Sequence, residues 1–363
     1  MKNDLKISHI QLRALIISAV IGVGIISLPN DLANILEKDG WILIVLSALL
    51  IFPIIFMINH IFKINPGKDY FQIGEETLGK VIFTICKLLF LAYLIVYCSY
   101  EVAILSQLIK AFLLHITPVE IIIFLFVLTS VYISSMEIDI IARAGYFIYP
   151  IILIFAGIFF FISLPTADFS NVLPAFQSNF KNIPRGIVST FFSFTGFEVL
   201  LFALPYVEDK KKALKSSMIA LGIITFIYLL MFFTTLTQFY LKQLQGQNFS
   251  LVMIAKTVDL PGYFLQNLDG VVMAIWILVV FATFAPAFFG AGKILSNTFR
   301  TKSHKYFLLG LVPVIYYLAL VPKDYIELQR DMLKILNILS FLSIVVIPFL
   351  IFIVGIIKRR IKA

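Results

Sequence analysis

Charge is scarce in this chain: Asp, Glu, Lys and Arg make up 13% of its 363 residues, while 61% are hydrophobic. A soluble domain carries roughly 45–50% apolar residues and about 25% charged ones, so a water-soluble globular fold is excluded. Cysteine is almost missing. Cys86 and Cys98 are the 2 present, and on one helix they would stand about 18 Å apart along the axis, which excludes a disulfide within the chain. The 4 histidines, His9, His60, His115 and His304, fall near segment ends, too scattered for a metal cluster, and each reads as an interfacial residue. Enzyme signatures are missing too: there is no H-E-x-x-H, no G-x-S-x-G and no G-x-x-x-x-G-K-[ST]. No catalytic residue, metal or cofactor is expected. The net charge of +9 is no nucleic-acid footprint, because no basic patch is interleaved with exposed aromatics; Lys210, Lys211 and Lys212 read as a loop facing acidic lipid headgroups.

What the chain does have is long apolar runs. A helix needs about 20 apolar residues to cross a hydrocarbon core about 30 Å thick. Such windows recur as Gln11–Ile35, Trp41–Phe62, Val81–Ile109, Val119–Met136, Tyr146–Leu164, Gly186–Pro205, Met218–Leu241, Val271–Gly290, Phe307–Val321 and Ile335–Ile357. The fold class expected is an all-α polytopic membrane protein of about ten transmembrane helices, a single domain over residues 1–363. Most Lys and Arg residues fall in the connections on the side of the two termini, which places both termini in the cytoplasm. The first run follows a basic N-terminus but is too long for a signal peptide and lacks a small-residue cleavage site, so it is kept as a helix. Asn65-Pro66-Gly67 is a turn signal leading into a short interfacial helix over Tyr70–Gly79. The outer connections Pro165–Arg185 and Gln238–Gln266 are expected to form small surface helices or caps over an outer vestibule.

Two of the runs, the first and the sixth, break at glycine. Gly22-Val23-Gly24-Ile25 interrupts the first, with Pro29 beyond, and Thr195-Gly196-Phe197-Glu198 interrupts the sixth. In hydrocarbon every backbone polar group needs a partner, so weak helix-formers at matching depths of two halves mark unwound stretches that bind something. Close packing of helices is the competing use of small residues. Five runs precede the second break, consistent with an inverted 5+5 repeat with halves at about 8–165 and 183–360.

Ionisable residues inside the runs are few. Glu101 shares a helix face with Tyr93 and Tyr97, at i, i+4 and i+8, and is a candidate proton-linked group or a structural acid. Glu198 either meets a ligand ammonium group or caps the backbone freed by its own break. Lys87, nearer the inner end, is expected to snorkel to the surface. Thr283, the lone hydroxyl between Val271 and Gly290, either bonds back to its own helix or faces a ligand. Tyr97, Phe197 and Thr283 together would make an apolar, aromatic side-chain pocket for a small neutral amino acid.

With Gln11, Gly22-Val23-Gly24-Ile25, Leu28-Pro29, Asp39-Gly40-Trp41, Leu78-Gly79 and Phe197-Glu198 running to Pro205, the chain resembles the permease-like B subunits of spore germinant receptors. These belong to the amino acid-polyamine-organocation superfamily. Asp39-Gly40-Trp41 is the most specific element, and the resemblance spans essentially the whole chain; Asn267-Leu268-Asp269 departs from the family pattern. The resemblance implies a leucine-transporter-type fold and a non-enzymatic sensor in the inner membrane of the endospore. It implies a small germinant, such as an amino acid, and partnership with a larger A subunit and a C lipoprotein. A proton-coupled amino-acid transporter of the same superfamily is the alternative, and a structural subunit with a vestigial cavity is a third reading. Binding is expected not to require sodium, since the eighth run offers mainly Thr283 and the fifth only Ser163 at its end.

Overall fold

The chain enters its helical bundle through a capping box, in which the Gln11 N–H donates to the Ser8 hydroxyl at 3.1 Å and the Ser8 N–H donates to the Gln11 side chain at 2.9 Å. Reciprocal caps of this kind satisfy two of the N–H groups that a helix start leaves open. The computed structural model describes residues 6–257 and 268–362. Its helices in order are α1 (His9–Val20), α2 (Gly24–Leu36), α3 (Trp41–Ile64), α4 (Tyr70–Leu78), α5 (Lys80–Phe112), α6 (Val119–Ser134), α7 (Ile138–Ser163), α8 (Ile183–Ser193) and α9 (Leu200–Ala203). There follow α10 (Lys210–Gln238), α11 (Leu241–Gln245), α12 (Ser250–Thr257), α13 (Leu268–Thr298), α14 (Lys305–Leu320), α15 (Tyr325–Glu327), α16 (Leu333–Ser340) and α17 (Ile347–Lys362). π-helical turns at Leu328–Met332 and Phe341–Val346 join the last three into one span.

Among the described residues, 6 helices are long and apolar enough to cross a membrane, and two bent pairs bring the number to 8. α1 and α2 meet at 57°, and α8 with the turns after it at 53°. α6 and α14 are apolar helices of 16 residues each. Every apolar run of the sequence falls on one of these elements. Some run further than hydropathy alone indicates: α7 starts at Ile138 rather than Tyr146, and its added first turns carry Asp139 and Arg143, paired one turn apart at 3.2 Å. Large apolar side chains such as Phe52, Ile82, Phe147, Phe161, Phe226 and Phe349 face outward, which is the arrangement a lipid environment favours.

The connections hold the two ends of the bundle. On the side of the termini, α4 starts with a second capping box, Asp69 with Gln72, and the Ile7 backbone bridges Tyr206 and Glu208 at 3.0 and 3.1 Å. On the far side Asp39 anchors the loop after α7, accepting from the Phe176 N–H at 2.7 Å, the Ser178 N–H at 3.1 Å and the Ser178 hydroxyl at 2.8 Å. α11 packs on α2, where the Asn30 amide donates to the carbonyls of Leu244 and Gln245 at 2.9 Å. Both outer connections therefore lie over the bundle as caps, residues 258–267 of the second falling outside the described residues along with the side chain of Asp269.

One expectation is corrected here. Lys87 does not snorkel: it is 3% exposed, and its ammonium donates to Asn297 Oδ1 at 2.7 Å and pairs with Glu75 of α4 at 3.3 Å. The interfacial helix folds over it and supplies the partners that water would have given. His304 stands at a segment end, just before α14. It is buried between α13 and α6, with Nε2 3.1 Å from the Ser134 carbonyl and its ring 5.1 Å from that of Phe289, so Nε2 carries the proton that this contact needs.

Candidate functional site between the two broken helices

α1 ends at Val20 and α2 starts at Gly24; Ile21 is extended, with φ −80 and ψ 97. α8 ends at Ser193, and after Phe194 and Thr195 comes Gly196 at φ +116, a conformation that side chains with a Cβ rarely adopt. The two breaks touch. A Cβ on Gly196 would lie 2.2 Å from the Ala19 carbonyl oxygen, and one on Gly24 would lie 3.3 Å from Ser193 Cα. Glycine at these positions is what lets backbone meet backbone at mid-depth.

Each break frees backbone groups that lipid cannot satisfy, and side chains of the break itself and of other helices take them up. Glu198 accepts from the Gly196 N–H at 2.6 Å through Oε2 and from the Tyr93 hydroxyl at 2.7 Å through Oε1. Of its two sequence readings, the cap is the one realised in this conformation. The Thr195 hydroxyl bonds back to the Phe192 carbonyl at 2.7 Å. At the first break the Val23 N–H and the Tyr97 hydroxyl face the carboxyl of Glu101. The freed carbonyls are met by Tyr228 of α10, whose hydroxyl lies 3.3 Å from the Val20 carbonyl and also bonds that of Ser193.

Thr283 of α13 bonds back to its own helix, as one of its two sequence readings had it, with its hydroxyl 2.9 Å from the carbonyl of Val280, and it also lies 2.9 Å from Glu101 Oε2. Its one proton serves either acceptor. When Glu101 is ionised Thr283 donates to it; when Glu101 is protonated, its own O–H can donate to Thr283 and leave the threonine proton to Val280. The contact thus accommodates both states of the acid. Gly22 keeps it open, since a Cβ there would stand 2.7 Å from Thr283 Cγ2 and 3.1 Å from Glu101 Oε2.

Between these groups lies a cavity of about 10 Å³, lined by Ala19, Leu94, Tyr97, Gly196, Glu198, Val199, Phe202, Thr283, Pro286 and Ala287. That is room for about one water, so entry of an amino-acid-sized molecule requires Tyr97, Phe202 or a broken helix to move. Phe197 does not line this space. The 3-10 turn after Gly196 puts Glu198 and Val199 on the cavity side, and Phe202, one turn later, forms the aromatic wall that sequence assigned to Phe197. Ile25 faces a separate apolar cavity of about 20 Å³ with Phe155, Met231 and Trp276. Sequence reasoning missed Tyr228 and Phe202; the available signal for Tyr228 was a hydroxyl in the middle of an apolar run. Among the described residues, no three His, Cys, Asp or Glu gather as a metal site.

The comparisons agree with this architecture. The model of the spore germination protein family, the spore permeases, matches residues 6–328. Spore germination protein A2 of Bacillus subtilis (strain 168) is 25% identical over 99% of this chain and 98% of its own length, and spore germination protein GerLB of Bacillus cereus is 26% identical over 94% and 92%. Among solved structures, MhsT in complex with L-phenylalanine superposes with a TM-score of 0.72 at 13% identity, over 98% of this chain and 99% of that one. At that identity the likeness speaks for the fold, that of the leucine-transporter-type transporters. A polytopic helical chain with paired glycine breaks, matched by the family model over most of its length, belongs to the spore germination protein family of membrane permeases.

Proposed function

We propose that this chain is the ligand-sensing subunit of a spore germinant receptor, binding a small germinant, an amino acid, at mid-membrane and triggering germination without catalysing a reaction. The observation that carries the reading is the contact of two glycine breaks around a cavity bordered by Tyr97, Glu198, Phe202 and Thr283. N–H groups at a half-helix start favour a carboxylate, and freed carbonyls favour an ammonium group. Through their main chains alone, Gly22, Val23, Gly24 and Ile25 would meet the ligand backbone from one side and Thr195, Gly196, Phe197 and Glu198 from the other, with the side chains of Tyr93, Tyr97 and Thr283 completing the site. The solved relative of this fold in complex with L-phenylalanine supports the ligand class. In this reading the halves 8–165 and 183–360 form the inverted repeat and the termini are cytoplasmic. The chain lies in the inner membrane of the endospore and works with an A subunit and a C lipoprotein. No cofactor, and no sodium, takes part.

The test is germination of spores whose receptor carries Gly24→Val or Gly196→Val, with the protein quantified in the spore membrane. Loss of the response at unchanged protein level is the expected result; normal responses in both would reject the site. The pairing of Glu101 with Thr283 favours a second reading, proton-coupled amino-acid transport. Amino-acid uptake into proteoliposomes that follows an imposed pH gradient and vanishes in Glu101→Gln would establish it.

A further inference from the structure

Two neighbouring spans are short for a membrane. α6 and α14 have 16 residues each, about 24 Å of rise, against a hydrocarbon core about 30 Å thick. They pack side by side, with the rings of Phe124 and Tyr316 6.3 Å apart, and charge closes both: Glu120 and Glu137 flank the apolar part of α6, Lys305 and Lys323 that of α14. Outward lie Leu125 and Leu128 on one and Leu309 and Val314 on the other. Tyr132, Tyr306 and Tyr317, exposed by 72, 80 and 70%, stand near the ends of these stripes, and phenol rings settle at membrane–water boundaries. α5, packed against both helices, has 33 residues, about 50 Å.

The deficit lies on the side of the termini. At the end of α6 the Ser134 hydroxyl donates to the Ala285 carbonyl at 3.2 Å, yet α13 runs on from Ala285 to Thr298, about 20 Å along its axis. α14 begins level with Gly292, where a Cβ would lie 3.5 Å from His304 Cβ and 2.8 Å from Leu308 Cδ2. α5 reaches further still. Lys87 meets Asn297 at 2.7 Å, and the helix goes on for about 10 Å beyond Lys87 to Lys80, with Val81, Ile82 and Ile85 presenting apolar surface outward. Counted along α13 and α5, Ile85 stands about 10 Å nearer the terminal face than the start of α14, yet it is Ile85 that is apolar and Lys305 that is charged. A flat leaflet suits one or the other.

We infer that the α6–α14 face is a surface for thin lipid: beside it the leaflet on the side of the termini is drawn in, and phospholipids with short acyl chains fit there better than long ones. Immersing the charged ends of the two helices in hydrocarbon is costly, whereas bending a leaflet toward a short helix has a modest cost for each ångström, so the lipid yields and not the protein. Snorkelling relieves Lys305 but not the shorter Glu137, which is held by Lys293 at 2.8 Å. The same face touches the centre of the bundle. Ser134 holds α13 just beyond Thr283, and Pro286 and Ala287, next along α13, line the cavity between the breaks, so bilayer thickness bears on that cavity. This consequence for ligand sensing rests on the proposed central site; the lipid preference does not.

The test uses the full chain in lipid nanodiscs. Nitroxide labels on Tyr306→Cys and Ile85→Cys, which avoid the buried Cys86 and Cys98, are read by collision with oxygen, which concentrates in hydrocarbon, and with a water-soluble nickel chelate. In dioleoylphosphatidylcholine the label on Tyr306→Cys is expected to collide with nickel and that on Ile85→Cys with oxygen, although Ile85 lies nearer the terminal face. Nickel at both positions means a flat leaflet, and oxygen at both means hydrocarbon around the start of α14; either result overturns the inference. Thermal midpoints are expected to be several degrees higher in dimyristoleoylphosphatidylcholine than in dierucoylphosphatidylcholine, with Lys305→Leu reducing the difference and Lys80→Leu on the longer α5 leaving it unchanged. Equal midpoints in the two lipids, or the same reduction in Lys80→Leu, overturn the lipid preference. Cross-linking of two copies through Tyr317→Cys would make the face a contact between chains and equally overturn it. Normal germination of Gly196→Val spores alongside the expected label pattern would refute the central site and leave the lipid surface standing.

Discussion

Replacing Gly196 by alanine adds one methyl group at the point where the two broken helices touch, and the structure sets its cost. The new Cβ would lie 2.2 Å from the Ala19 carbonyl oxygen, 2.7 Å from the Ala19 carbonyl carbon and 3.0 Å from Val20 Cα. These are backbone atoms, so no rotamer change relieves the overlap. Overpacking of this kind costs about 1–3 kcal/mol, and holding a residue with a Cβ at φ +116 adds about 1–2 kcal/mol, for about 2–5 kcal/mol in all. Mixed-micelle unfolding of the purified chain reads this directly. Gly222→Ala on α10 is the control, because a Cβ there meets nothing within 4 Å and alanine gains about 0.5–1 kcal/mol over glycine inside a helix. If Gly196→Ala unfolds like the wild type, the breaks are not packed backbone to backbone and the site as described is wrong.

Tyr228→Phe removes the hydroxyl shared by the Val20 and Ser193 carbonyls; leaving buried acceptors unmatched should cost about 1–3 kcal/mol in the same unfolding assay, and a variant as stable as wild type would mean that the carbonyls find other partners. Gly22→Ala collides with Thr283 at 2.7 Å, so its cost should fall by about 0.5–3 kcal/mol in a Thr283→Ala background; strict additivity in the double-mutant cycle would refute that contact. Burial first, and then the nearby Lys293 ammonium, hold His304 below its ordinary value of 6.5. The folded chain thus favours the neutral ring, and the stability His304 contributes is present above about pH 6.5 and lost as pH falls toward its lowered value. Unfolding measured between pH 7.5 and pH 5 should show that loss, and His304→Gln should flatten it; an equal slope in the variant would assign the pH dependence elsewhere.

Much of the candidate site was legible in local chemistry. Gly22, Gly24 and Gly196 stand out because weak helix-formers at mid-depth are costly in hydrocarbon wherever the chain goes next, and the bends at both places follow from that. Phe197 and Lys87 were misread for a common reason. Which way a side chain faces after an irregular turn, and which helix folds over a lysine, depend on neighbours far along the chain: Phe202 and Val199 around the cavity, Glu75 and Asn297 around the ammonium.

The sequence by itself determined the membrane class, the places of the apolar helices and the two breaks, because hydropathy, run length and glycine act within a few residues of themselves. Only the tertiary structure decided how the breaks are satisfied and what surrounds them. Glu198 with Tyr93, Glu101 with Thr283, and Tyr228 with Val20 and Ser193 are long-range pairings, as is the meeting of Ser134 with Ala285 at the end of α6. Such pairings exist only once helices distant in sequence have packed, since a buried polar group takes whichever partner the packing brings within reach.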